Sequence, residues 1–379
     1  MAATVTWETL RQLAEFHAAH GCAISVYVDL DPSETPTARD ASTRVRSLLD
    51  GLRQTYGDGA SLSHDQREAL RGDVERIRRW FENDFDRDGA HAVAVFCSGL
   101  DNLWRTLPLA ESVDDAVAVG RETLLTPLVP IVGRGTGAIV AVVSREQGRV
   151  YRLTQGRLEE IVDRSEDTPG WHDQGGWSQA RFQRHIENLV HEHMKTVAGE
   201  IGQQARRARS ARVVIVIPHE MRREFEAALP NDVKDAIVGW TQAQAQAGAT
   251  ELLGAVLPVL AQADAEDEAE LVDRWREEAA REGRASAGWA QTLEAASDAR
   301  IEVLLFSQGV THDAWQCPHC GRLSATGGPC PFDGTEMEHR ANGLDLAVHH
   351  TLANGGRVRA LRNRQDLDPV DGIGALLRF

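Results

Sequence analysis

The stretch from Ser178 to Pro218 constrains the architecture of this chain more than any other. Phe182, Ile186, Leu189, Met194, Val197 and Ile201 recur at three-to-five-residue intervals, which predicts a long helix with one buried stripe. Ser178 stands before it as an N-cap. After it, Val213-Val-Ile-Val-Ile-Pro218 is an unbroken apolar run, as expected of a strand buried on both faces, parallel to a neighbour and covered by the helix. Ahead of the helix lie three more strand-like runs, Ala138–Val143, Arg149–Leu153 and Arg157–Asp163, joined by turns at Gln147-Gly148 and Gln155-Gly156. Short turns between such runs make a meander. Meander, long helix and buried strand together specify a mixed sheet layered with helices.

At 379 residues the chain is too long for one ordinary core. Residues 1–132 read as an N-terminal α/β unit: strands at Cys22–Leu30 and His91–Cys97, helices at Ala38–Gly51 and Ser63–Phe81. The Pro- and Gly-rich stretch Thr126–Gly137 is a natural boundary, so the meander and long helix fall in a central domain, 133–262. An acidic helical stretch, Ala263–Arg284, opens a third domain, 263–379. It holds helices at Trp289–Ala296 and Leu344–Ala353, and strands at Arg300–Phe306, Arg357–Leu361 and the C-terminal Gly372–Phe379. The fold class is α/β in three domains.

Hydrophobic content of 42% and charged content of 26% are those of a soluble protein, and no apolar run reaches the length of a membrane span. The start MAATVTWETLRQL lacks the basic and apolar regions of an export signal, so a cytoplasmic location is expected. A net charge of −16 argues against a general nucleic-acid binder and against DNA. Charge is uneven, however: Trp171–Val213 carries seven Arg or Lys against four Asp or Glu. Arg181, Arg184 and Lys195 lie on the polar face of the predicted helix, with Arg206, Arg207 and Arg209 at its far end. On charge alone this is equally a solvated face and a local polyanion contact.

Three of the five cysteines cluster. Cys317-Pro-His-Cys320 and Cys330-Pro-Phe-Asp333, nine residues apart, give two knuckles with an aspartate in the last place. Zinc takes thiolates and accepts a carboxylate, so Cys317, Cys320, Cys330 and Asp333 are the candidate ligands of a structural zinc. His319, His312 and His339 are alternative fourth ligands, and a knuckle that keeps only its turn is the rival reading. Cys22 and Cys97 lie in apolar runs and read as small buried hydrophobes. Other motifs fail. His191-Glu192-His193 lacks the spacing of a zinc-protease helix and reads as helix surface. Gly133-Arg-Gly-Thr-Gly137 precedes a strand instead of following one, and no Walker-type loop exists, so no nucleotide cofactor is expected.

The remaining motif is Gly175-Gly176-Trp177-Ser178-Gln179 at the head of the long helix. Adjacent glycines allow close backbone approach to another surface, and a helix start offers free N–H groups to an anion. By itself Gly-Gly before a helix is an ordinary turn. With Ala180-Arg181-Phe182 behind it, the segment resembles the Gly-Gly-Gln-Ser loop and Arg-Phe helix of the archaeal and eukaryotic class-one release factors. Asp371-Gly-Ile-Gly-Ala-Leu-Leu-Arg-Phe379 resembles the Gly-Ile-Gly-Gly-Ile-Leu-Arg-Tyr strand of that family's third domain. The resemblance covers roughly 135–379 and points to the bacterial branch, which is also similar to Pelota, to the Vms/Ankzf-type peptidyl-tRNA hydrolases and to Balon-type hibernation factors.

The resemblance implies a ribonuclease-H-like central domain and a C-terminal domain like the kink-turn-binding ribosomal proteins, here with a zinc-knuckle-like insertion. It implies a ribosome-associated factor in the A site of stalled or idle ribosomes, for rescue or hibernation. The Gly175–Gln179 loop would lie at the peptidyl-transferase centre, with Arg181, Arg184, Arg206, Arg207 and Arg209 on ribosomal RNA. P-site tRNA and a delivery GTPase such as elongation factor Tu are the further partners on this reading. Two departures matter. In the family Gln follows the glycines directly, whereas Trp177 and Ser178 intervene here. Gln179 as a catalytic residue of peptidyl-tRNA hydrolysis, and non-catalytic occupancy, therefore both stay open. No Asn-Ile-Lys-Ser stretch is present, which argues against stop-codon reading. The rival of another class is a ribosome-independent RNA- or protein-binding adaptor.

Overall fold

The computed structural model describes residues 5–56, 62–87, 89–132, 137–154, 156–165, 179–208, 212–244, 247–281, 283–362 and 364–379, with 53–56 and 179–187 described by backbone alone. Contacts divide the chain into two compact units, Met1–Gly133 with Glu268–Phe379, and Arg134–Asp267. The architecture is mixed α/β, with one main sheet in each third of the chain.

The N-terminal segment runs α1 (Trp7–Ala14), β1 (Ala23–Asp29), α2 (Ala38–Tyr56), α3 (His64–Asn83), β2 (Ala92–Ser98), β3 (Leu103–Leu109) and β4 (Ala116–Gly120). Its antiparallel sheet has the order β3-β2-β1-β4. The central strands AISVYVD and AVAVFCS are apolar at nearly every position because both faces are covered. Ile24, Val26 and Val28 pack against Val45, Leu49, Val74 and Ile77 of α2 and α3. Tyr27 and Phe96 point the other way, into a core shared with the C-terminal segment. Ser63 and Gln66 form a capping box that starts α3 where the sequence placed it.

Asp101, after β2, ties down the turn before β1. Its side chain is 7% exposed and accepts hydrogen bonds from the amides of Ala19, His20 and Gly21, from Ser98 Oγ and from His20 Nδ1, at 2.9–3.1 Å. Burial opposes ionisation, but the Gly21 and His20 amides outweigh it and hold the carboxyl down at about 2.

The central unit runs β5 (Ala138–Val143), β6 (Gly148–Thr154), β7 (Arg157–Asp163), α4 (Gln179–Arg207), β8 (Val213–Val216), α5 (His219–Ala228), α6 (Asn231–Ala236) and β9 (Ile237–Thr241). The sheet order is β7-β6-β5-β8-β9; the meander is antiparallel, and β8 is parallel to both β5 and β9, as its apolar run requires. Met194, Val197 and Ile201 of α4 are fully buried on Ile139, Ala141, Val213 and Ile215. Two expectations about α4 need correction. Leu189 is 41% exposed, and Val190 packs towards the core instead. His193 is not helix surface: it is 4% exposed, one turn before Val197, and its Nε2 lies 3.2 Å from the Gln147 carbonyl. The side chains of Phe182 and Ile186 lie outside the described residues.

The helix α7 (Ala249–Ala280) begins well before the predicted Ala263, despite Pro258 in its interior. Leu252, Val256 and Leu260 pack against β5 and β8, while Val272 and Trp275 belong to the core of the C-terminal segment. That segment continues with β10 (Ala285–Ala287), α8 (Gly288–Ser297), β11 (Ile301–Ser307), β12 (Ala314–Gln316), β13 (Leu323–Ser324), β14 (Glu338–Arg340), α9 (Gly343–Ala353), β15 (Arg357–Leu361) and β16 (Ile373–Leu377). The main sheet is β10-β16-β11-β15, with β15 parallel to β11 and the others antiparallel. The small sheet β13-β12-β14 carries the cysteine motif.

Within the first unit the two segments share one core, in which Leu107, Leu109 and Leu128 meet Leu293, Phe306, Leu346 and Leu352. Residues 126–132, expected as a boundary, are partly buried in it: Leu128, Val129 and Val132 are at most 4% exposed. A polar joint locks the register. Asp345 of α9, 3% exposed, accepts from Leu125 N at 2.7 Å, and from Thr126 N and Thr126 Oγ1 at 2.9 Å. One turn on, His349 Nε2 lies 2.5 Å from the Thr123 carbonyl. Asp345→Ala should cost about 2–4 kcal/mol, because it leaves buried N–H groups without an acceptor, and Asp345→Asn should cost less because Oδ1 survives. Denaturant unfolding of the two variants side by side checks this; equal losses would contradict it.

Asp101 gives a pH signature. Its folded pKa lies below the unfolded value of about 4, so its stabilisation is complete above that pH and fades as the pH falls towards about 2. Thermal melts of Asp101→Asn should be lower at neutral pH and fall less steeply over that acid range; parallel curves would refute the assignment.

Candidate functional site

The small sheet closes two near-identical turns on each other. In the first, Gly321 N donates to the Cys317 carbonyl at 2.9 Å and Cys317 N donates to the Arg322 carbonyl at 2.9 Å. In the second, Gly334 N donates to the Cys330 carbonyl at 2.8 Å and Cys330 N donates to the Thr335 carbonyl at 2.7 Å. Both glycines sit at positive φ, +76° and +74°, which a side chain would disfavour. The repeated Cys-Pro-x-(Cys/Asp)-Gly pattern thus encodes the same turn twice, and each turn aims its first and fourth residues at a common point.

At that point the ligand atoms of Cys317, Cys320, Cys330 and Asp333 all lie within 4.8 Å of one another, close enough to hold a metal ion. Cys320 Sγ and Cys330 Sγ are 3.5 Å apart, and Cys317 Sγ is 3.5 Å from Asp333 Oδ2. Tetrahedral thiolates at about 2.3 Å from zinc stand about 3.8 Å from each other, so the donor set fits that ion. The Cys320 amide points at Cys317 Sγ from 3.4 Å, a contact that stabilises thiolate. The Thr335 amide and hydroxyl, followed by His319, hold the Asp333 carboxyl far below the usual carboxylate range, so it is a ready anionic donor.

The histidines weighed as fourth ligands have other partners. His319 Nδ1 lies 3.0 Å from Asp333 Oδ2, so it braces the carboxylate from outside. His339 Nε2 lies 2.9 Å from Asp313 Oδ2, and His312 stacks on Trp289 at 4.5 Å. The bracing role of His319 was not legible from spacing, since His319 and Phe332 hold the same place in the two turns. The knuckles are tied to α8: Leu323 N donates to Ser297 Oγ at 2.8 Å, and Arg322 pairs with Asp298 at 2.7 Å. Cys317, Cys330 and Met337 form the small apolar centre beneath.

The second candidate region is the head and tail of α4. Gly175, Gly176, Trp177, Ser178 and Arg209 lie outside the described residues. Gln179 is the first residue of α4, with Arg181 and Arg184 in its first two turns, all three described by backbone alone. At the tail, Arg206 and Arg207 are exposed; Arg206 pairs with Asp232 at 2.8 Å, and Arg207 has no acidic partner among the described residues. Lys195 pairs with Glu192 at 3.3 Å. Among the described residues no helix is long and apolar enough to cross a membrane.

Residues 124–268 match the family described as bacterial archaeo-eukaryotic release factor family 10. Peptide chain release factor subunit 1 of Archaeoglobus fulgidus is 28% identical over 266 residues, 63% of this chain and 64% of that protein. The same factor of Methanopyrus kandleri is 30% identical over 196 residues, 48% of this chain and 46% of that protein. The chain thus matches less than two thirds of the length of either relative. Among solved structures, the archaeal Pelota of a ribosome-bound assembly is 13% identical over 76% of this chain and 77% of its own, with a TM-score of 0.40.

Metal binding at this cluster would show in the stability of the chain. Adding zinc to the chelator-treated chain should raise its melting temperature, because ion binding is coupled to folding of the turns. Cys330→Ser should reduce the shift, and Asp333→Ala should weaken binding by at least the ~10–100-fold that even outer partners of a metal site are worth. An unchanged melting curve on zinc addition would refute it.

Proposed function

We propose, for a chain whose residues 124–268 match the bacterial archaeo-eukaryotic release factor family 10, that it is a ribosome-associated factor occupying the A site of stalled or idle ribosomes. The observation that carries this reading is the match over the central unit, which supports a shared use of the helix that begins at Gln179 and of the loop before it. On this reading Gly175, Gly176, Trp177 and Ser178 reach the peptidyl-transferase centre. Arg181, Arg184, Arg206, Arg207 and Arg209 contact ribosomal RNA phosphates. P-site tRNA and a delivery GTPase such as elongation factor Tu are proposed partners. The role is rescue or hibernation, without stop-codon reading, since the Asn-Ile-Lys-Ser loop is missing from the sequence. We assign Cys317, Cys320, Cys330 and Asp333 to a structural zinc, which would clamp the two turns and leave no open position for a substrate.

Peptidyl-tRNA hydrolysis is the second reading, favoured by the position of Gln179 at the very start of α4, where a side chain can orient a water at an ester. Gln carries no basic nitrogen, so its contribution would be positioning, with ribosomal RNA supplying the electrostatics. Release of labelled peptide from stalled ribosomes, compared between the unsubstituted chain and Gln179→Ala, separates the two readings. Occupancy without chemistry predicts no release from either.

Ribosome association is tested by co-sedimentation over a salt series. The chain should pellet with ribosomes at low salt and dissociate steeply as salt rises. The double variant Arg206→Glu/Arg207→Glu should bind more weakly, its log–log salt slope reduced by about 1 for each phosphate contact removed. Absence of co-sedimentation at low salt would overturn the reading and favour a ribosome-independent adaptor.

A further inference from the structure

The four donors of the knuckle cluster are not equivalent, and their pairing has a chemical consequence. Cys320 Sγ faces Cys330 Sγ at 3.5 Å, whereas Cys317 Sγ faces the Asp333 carboxylate at 3.5 Å. Cys317 and Cys330 are 1% and 3% exposed, while Cys320 is open to solvent. A thiolate that solvent reaches is the one a dissolved oxidant meets first. Cys330, on the other turn, holds its sulfur within 3.5 Å of that thiolate, close enough to attack it next. Cys317 is further held in place by the Cys320 amide aimed at its sulfur from 3.4 Å.

We infer that the cluster is an oxidant-responsive clamp: hydrogen peroxide joins Cys320 to Cys330, across the two turns, and so expels the metal. The inference rests on the reading of the cluster as a zinc site. The chemistry balances in two steps. The Cys320 thiolate attacks the peroxide O–O bond, an S–O bond forms, and the departing hydroxide takes a proton to leave as water. The Cys330 thiolate then attacks the Cys320 sulfur, the S–S bond forms, the S–O bond breaks, and the hydroxide so released takes a second proton from solvent to leave as water. Two thiolates are oxidised by two electrons, and the peroxide is reduced to water. Cys317 and Asp333 remain, one thiolate and one carboxylate, too few to hold zinc in a closed tetrahedral site. The hard carboxylate in the set lowers the resistance to that loss, because soft thiolates carry most of the affinity.

The experiment uses the zinc-loaded full chain, titrated with hydrogen peroxide. Zinc release is read with a colorimetric indicator, and crosslinks are mapped on non-reduced peptides. Release and a Cys320–Cys330 crosslink should grow together, and a thiol reductant with added zinc should reverse both. Cys320→Ser should lack the crosslink and lose zinc at least about tenfold more slowly, as its solvent-reached thiolate is gone. If that variant does not hold zinc, the peptide map of the unsubstituted chain decides alone. A dominant Cys317–Cys320 crosslink, zinc release without any crosslink, or zinc retained through complete oxidation would each overturn the proposal. A chain that takes up no zinc would defeat the zinc reading, while the peptide map of the metal-free chain would still test the pairing.

Discussion

The first unit depends on a buried carboxylate that serves the far end of the chain. Asp345 and the Leu125 amide it accepts are 220 positions apart, and both are buried. A carboxylate removed from water is costly unless its oxygens are hydrogen-bonded, and the amides that meet it would be costly in turn without it. The pair therefore tolerates only one arrangement of α9 against the segment after β4. Apolar contacts alone, such as Leu346 and Leu352 on Leu107 and Leu109, would allow neighbouring registers at little cost. His349 on Thr123 repeats the constraint one helical turn later. The joint gives two chain segments, each with its own sheet, a single relative register.

Strong periodicity was legible from sequence. Ala38–Tyr56, His64–Asn83 and Gln179–Arg207 are helices close to where helices are expected. The buried strands Ala23–Asp29, Ala92–Ser98 and Val213–Val216 follow their apolar runs. Elements whose character comes from their surroundings were not legible. Ala116–Gly120 has a short AVAVG sequence, too brief to distinguish from a turn, and is a strand because β1 offers it a ladder. Ile237–Thr241 is an edge strand for the same reason. The first turns of α7 were missed because Pro258 reads as a helix boundary, although a long helix with packed neighbours tolerates it. His193 was misjudged because its identity is polar while its position, one turn from Val197, is apolar.

In the knuckle cluster, spacing singled out residues that lie close enough to hold a metal ion, since paired Cys-x-x-Cys-like turns converge for local geometric reasons. What spacing left unresolved was the fourth donor. The structure brings the Asp333 carboxylate beside the three sulfurs and turns His312 and His339 to partners elsewhere. The two glycines at positive φ explain why the turns match despite the change from Cys to Asp. The long helix was legible as a helix, whereas the reading proposed for the loop before it came from resemblance and not from turn chemistry.

The division of the first unit into Met1–Gly133 and Glu268–Phe379 also bears on how the chain is made. Translation delivers Leu10, Leu13, Leu107, Leu109 and Leu128 long before the α8 and α9 residues that cover them. At roughly 5–20 residues per second, the intervening stretch takes several seconds or more to synthesise. During that interval an apolar surface waits uncovered on the nascent N-terminal sheet, while the central unit has all of its own strands and can close independently. The N-terminal segment is therefore the part of the newborn chain with most need of a chaperone.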